Sequence, residues 1–154
     1  MSNTSFDTLT NVAADLNGQI TEVEILDSDM DPNHVLSRDR AWSVKVKWQI
    51  GGLCAPGIGG DWQIRVNLES MGAGFEGTVK EESLPVNSAA PARTRLYEKV
   101  INLPRPADVP NLRAGTYKPV IVITHTYTGA GVTKRTRMAG FYEGYILDFV
   151  DADV

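Results

Sequence analysis

The chain has one cysteine, Cys54, and two histidines, His34 and His125, in 154 residues. A single thiol excludes an intramolecular disulfide and any cysteine-rich metal site. It agrees with a reducing compartment, so a cytoplasmic location is expected. Two histidines far apart in sequence offer no metal-ligand spacing. No apolar run approaches the ~20 residues that span a bilayer. The segment Met1 to Asp7 has neither the basic region nor the apolar core of a secretory signal, so no membrane partner is expected. Positive charge is scarce as well: 15 bases against 19 acids leave −4, which gives no general attraction to nucleic acid. The imbalance lies in residues 1–40, where eight acids and two bases sum to −6, leaving +2 for the remainder. A hydrophobic share of 42% with 22% charged residues excludes wholesale disorder and fits one globular domain.

What the chain does have is alternation. Trp42 to Ile50 and Trp62 to Glu69 each place apolar residues at every second position, on either side of the Gly-rich loop Gly51 to Gly60. A period of two held this long predicts antiparallel strands with one face in a core and one in water. Further strand candidates are Ile20 to Leu26, Gly77 to Glu82, Arg95 to Leu103, Thr116 to Tyr127 and a last stretch within Val132 to Val150. Turn-forming residues separate them, among them Asp31-Pro32-Asn33, Met71-Gly72-Ala73-Gly74 and Thr128-Gly129-Ala130-Gly131. About seven short strands predict an all-β, two-sheet sandwich over 19–154. Ahead of it, Phe6, Leu9, Val12, Ala13 and Leu16 fall near helical spacing and Gly18 stands where a left-handed cap would be. Residues 1–18 are therefore expected to form a short amphipathic helix that docks on the sandwich or on a partner.

Leu112-Arg113-Ala114-Gly115-Thr116-Tyr117 resembles the turn into the sixth strand of immunoglobulin-like and fibronectin-type domains. The resemblance implies an immunoglobulin-like antiparallel sandwich in which the Tyr117 hydroxyl bonds back to the loop backbone and Trp62 stands as the core tryptophan of the third strand. Pro119 stands where an antibody domain has its second cysteine, so an antibody-type domain is excluded and the likeness is one of architecture. The same resemblance implies that the first and last strands run parallel. That arrangement would bring Asp27, Asp29 and Asp31 toward Asp148, Asp151 and Asp153 as hard oxygen ligands for Ca²⁺. The local pattern is not an EF-hand, since Pro32 and Arg38 occupy the positions of its glycine and its bidentate glutamate.

Other features point to contacts rather than chemistry. Val120 and Val122 on one late strand, and Ile146 and Val150 on the last, lie on the parity opposite to the expected core. Strands apolar on both sides need cover on both sides, so these four, with Phe6 and Leu9 of the helix, are the candidate interface with a second copy or a protein partner. Leu53, Cys54 and Ile58 of the Gly-rich loop and Thr128 of the facing hairpin are candidate loop-binding residues. That loop matches neither a phosphate-binding loop nor a dinucleotide fingerprint and reads as a flexible connection. Lys134-Arg135-Thr136-Arg137 reads as a solvated strand face, and His125 as a hydrogen-bonded strand-end histidine. No nucleophile elbow or triad can be assembled. The expectation is a non-enzymatic structural or interaction module without a cofactor. The alternative is a ligand-binding sandwich, for carbohydrate or calcium, using its end loops and an exposed aromatic such as Trp42.

Overall fold

Alternation becomes strand pairing throughout the computed structural model, which describes Phe6 and residues 14–151. Nine strands follow in chain order: β1 (Asn17–Leu26), β2 (Val35–Ser37), β3 (Trp42–Gly51), β4 (Asp61–Ser70), β5 (Gly77–Pro85), β6 (Thr94–Leu103), β7 (Gly115–Gly129), β8 (Val132–Glu143) and β9 (Leu147–Val150). They form two sheets. The smaller has the order β1-β3-β6, and the larger β2-β9-β7-β4-β5, with β8 also paired to β7. Among the described residues there is no α-helix, only single 3-10 turns, and no helix is long and apolar enough to cross a membrane.

Inward parity decides the core. Val44, Val46, Trp48 and Ile50 of β3 face Trp62, Ile64, Val66 and Leu68 of β4, all buried, while Lys45, Lys47, Gln63 and Arg65 remain partly exposed outside. The rings form one aromatic cluster: Trp48 stacks on Tyr97 at 5.5 Å, and Trp62 meets both edge-on, at 6.2 and 5.5 Å. Each such pair adds about 1 kcal/mol beyond the area it buries. Trp42 belongs to the core as well, 1% exposed and edge-on to Phe149 at 5.4 Å. It is therefore no surface aromatic for a ligand.

Several expectations change. Nine strands replace seven, because the last stretch divides into β8 and β9 around Gly144 and because β2 is too short to show a period. β1 pairs antiparallel with β3, and the parallel partner of β9 is β2. The turn at Asp27 to Met30 and the Pro32 that follows end β1 and carry the chain across to the other sheet. The expected helix falls mainly on residues 1–5 and 7–13, outside the described residues. Its described part is not helical: Ala14 and Asp15 form a turn, and Gly18 is extended within β1 with its carbonyl accepting the Phe6 N–H at 3.0 Å.

Phe6 closes one side seam of the sandwich. Its ring lies between Gly18 of β1 and Gly140 of β8, edge-on to Trp62 at 5.9 Å. A methyl group at Gly18 would come within 2.7 Å of the ring, and one at Gly140 would overlap it. Glycine within a strand normally weakens it; here the absence of two side chains makes room for a third. Phe6 is thus a core residue and not an interface residue, and it sits on the inward parity of β8 rather than over Val120 and Val122.

Candidate functional site

The two ends of the sandwich differ. At one end the Gly-rich loop meets the 86–92 segment and the β7–β8 hairpin. This loop is pinned, contrary to the flexible connection expected. The Leu53 and Cys54 N–H groups donate to the carbonyls of Ala14 and Asp15 at 3.1 and 2.7 Å. The buried Arg95 guanidinium donates to the carbonyls of Ala55, Ile58, Val86 and Ala89 and to Asn87 Oδ1, at 2.7–3.1 Å. His125 is buried and hydrogen-bonded, but inside β7 at its bulge rather than at a strand end, with Nε2 2.6 Å from the Gly59 carbonyl and Nδ1 2.9 Å from Thr136 Oγ1. Of the loop-binding candidates, Leu53, Cys54 and Thr128 are exposed, whereas Ile58 is half-buried against the core.

The opposite end holds an open cleft. Ser70 at the end of β4 is in register with Tyr117 at the start of β7, so the turn after one strand and the turn before the other lie side by side. Two side chains shape these turns. Ser70 Oγ accepts the N–H groups of Gly72 and Gly74 at 3.1 and 2.9 Å, winding the first turn back over its own strand. The Tyr117 hydroxyl donates to the Arg113 carbonyl at 2.9 Å, the back-bond expected of this tyrosine. Asn111 and Gly115, at φ 66° and 147°, let the chain bend sharply on either side of Arg113. Between the turns lies a cleft of about 400 Å³, lined also by Ile146 from the β8–β9 connection. Its size falls within the roughly 300–1,000 Å³ of small-molecule sites. Met71 and Ile146 give it an apolar border, each more than half or half exposed. Tyr145 beside Ile146 is 80% exposed, its ring edge-on to His34 at 6.4 Å.

Of the carboxylates expected to hold Ca²⁺, those of Asp27, Asp148 and Asp151 are engaged separately. Asp27 Oδ1 accepts the N–H groups of Asp29 and Asp31 at 2.9 and 3.0 Å, and these bonds hold its pKa below the ordinary 3.8. Asp148 accepts the Thr116 hydroxyl at 2.5 Å, and Asp151 pairs with Arg38 at 2.8 Å. Among the described residues no three His, Cys, Asp or Glu side chains gather to hold a metal; Asp153 lies outside those residues. Of the four outward apolar residues, Val120, Val122 and Val150 share one face of the larger sheet by register, and Ile146 lies in the β8–β9 connection. Val120 and Val122 are half-buried there among Asn67, Arg65, Glu143 and Phe141, and only Ile146 and Val150 are exposed. Leu9 lies outside the described residues.

No family model matches the chain, and no curated protein matches it in sequence. The fold is similar to that of the C-terminal domain of Wzt. The TM-score is 0.52 at 9% identity, over 88% of this chain and 75% of that one. At this identity the likeness is one of β-sandwich fold. The cleft residues Ser70, Met71 and Arg113 were not among the sequence candidates. The sign that pointed toward them was the tyrosine pattern at 112–117, since a back-bonding tyrosine fixes the turn ahead of it.

Proposed function

We propose that the chain is a non-catalytic binding domain whose ligand occupies the cleft between the 70–74 and 113–117 segments. The observation that carries this reading is the cleft itself: an opening of about 400 Å³, framed by two hydrogen-bonded turns, with apolar and polar groups on one border. Pre-formed concave sites with a few placed polar groups are where small ligands bind. The antiparallel β1-β3-β6 sheet, the parallel β2–β9 pair and the Tyr117 back-bond support an immunoglobulin-like assignment, in which end loops supply the contacts. The test is a small-molecule fragment screen by amide NMR on the labelled chain. Binders are expected to shift amides of 70–74 and 113–117, and Ala114→Trp, which fills the opening from an exposed position, is expected to abolish those shifts. Shifts confined to other surfaces would overturn the reading.

A second reading is self-association through the outer face of the larger sheet. It is favoured by Phe141 and Val150, which are 41% and 42% exposed on that face. Light scattering at high concentration is expected to show a dimer that Val150→Lys reduces to monomer; a strict monomer would remove this reading.

A further inference from the structure

We infer that the end cleft takes an anion carried on an apolar body, a small organic carboxylate, with Arg113 and the Ser70 hydroxyl as its donors. This rests on the cleft being the binding site. Folding has already sorted the polar side chains there. Ser70 Oγ accepts two amide hydrogens, so what it retains to offer is its own O–H. The Tyr117 O–H is committed to the Arg113 carbonyl and the Thr116 O–H to Asp148. Arg38, Arg65 and Arg105 are each ion-paired, at 2.8, 2.7 and 2.9 Å. Arg113, like Arg40, Arg93, Arg135 and Arg137, has no carboxylate partner among the described residues, and of these it is the one that lines the cleft. The side-chain donors left unspent are thus those of Arg113 and Ser70, and they suit a ligand that accepts. A guanidinium fork matches the two oxygens of a carboxylate. Met71 and Ile146 on the same opening set the rest of the ligand as apolar, and one cation matches a monoanion better than a phosphate dianion.

The experiment titrates the full labelled chain with N-acetyl-leucine, with its neutral amide, and with inorganic phosphate. The acid is expected to shift the 70–74 and 113–117 amides, saturating in the millimolar range and weakening with added salt. The amide should bind about fivefold more weakly, the scale of one exposed ion pair. Arg113→Gln should weaken the acid by a similar factor and leave the amide unchanged, while Arg113→Lys should recover part of the loss. Arg113 is exposed and only its backbone is used in the fold, so these variants are expected to fold. Equal binding of acid and amide, or an indifferent Arg113→Gln, overturns the carboxylate assignment and leaves the cleft reading intact. Phosphate moving those amides while the acid does not also overturns it. Fragments and acid all failing to move them overturns both.

Discussion

Arg95 is a buried guanidinium with no carboxylate beside it among the described residues. Burying a charge costs several kcal/mol unless its donors are satisfied. Here four backbone carbonyls and one amide oxygen face the two terminal nitrogens while the buried Nε has no partner among the described residues, and the side chain ties the 55–58 turn to the 86–89 turn. Hydrogen bonds to a charged group each contribute about 1.5–3 kcal/mol, less whatever water restores once the loops relax. Arg95→Met is expected to lower unfolding free energy by about 3 kcal/mol in urea titrations. Arg95→Lys should recover little, because an ammonium cannot span both turns. Asp27 illustrates the opposite setting, a surface carboxylate held by backbone N–H groups. Its folded pKa lies below the ordinary 3.8, so its charge stabilises the fold above that value, and the contribution is lost as pH falls through the lowered one. Asp27→Asn should therefore be less stable than the parent at pH 6, with urea midpoints that converge toward pH 2. A constant gap would place the effect in shape rather than charge.

At the scale of elements, legibility follows how local the deciding contacts are. β3 and β4 could be read because a single face is buried along each, and every residue repeats the message. β2 could not, since three residues carry no period and its existence depends on pairing with β9. The N-terminal segment shows the same limit from the other side. Phe6, Leu16 and Gly18 satisfy a helical spacing, yet the described residues among them meet across strands, because Gly18 faces Gly140 from another sheet and leaves a slot for one ring. That slot yields a prediction about pairs rather than singles. Phe6→Ala should cost about 2 kcal/mol in lost burial. Gly140→Ala should also destabilise, since its methyl overlaps the ring, but in the Phe6→Ala background the methyl enters vacated space and the cost should largely vanish. A double-mutant cycle measured by urea denaturation checks this, and additive costs would rule out the shared slot. The cleft was less legible than the seam. Its segments near residues 70, 113 and 146 are distant in sequence, and only Tyr117 carried a readable sign.

Across the whole molecule, the two ends divide rigidity and opening between them. At the Gly-rich end, the backbone is held from several directions: Gly52 N–H by the Arg93 carbonyl, Cys54 N–H by Asp15, Val86 N–H by Gly60, with Arg95 between the turns. At the cleft end, the 70–74 turn is held by one serine hydroxyl and by the Met71 N–H on the Thr116 carbonyl at 3.0 Å. The 111–115 turn is held by one tyrosine hydroxyl, the Arg38 bond to the Leu112 carbonyl at 3.2 Å and two short-range bonds, Leu112 N–H to the Val109 carbonyl and Arg113 N–H to the Asn111 carbonyl. Local opening costs least where buried contacts and backbone bonds are fewest. Amides of Gly52, Cys54 and Val86 should accordingly exchange with deuterium more slowly than those of Ala73 and Ala114, by more than intrinsic rates explain. Tyr117→Phe, which removes the hydroxyl and keeps the ring in the core, should speed exchange at 112–115 and leave the Gly-rich end unchanged. If the cleft binds its ligand through these turns, saturating N-acetyl-leucine should slow the same amides, and slow them less in Tyr117→Phe. Uniform protection at both ends, or a Tyr117→Phe effect spread over the whole chain, would mean that the cleft is as rigid as the core and that its turns do not yield independently.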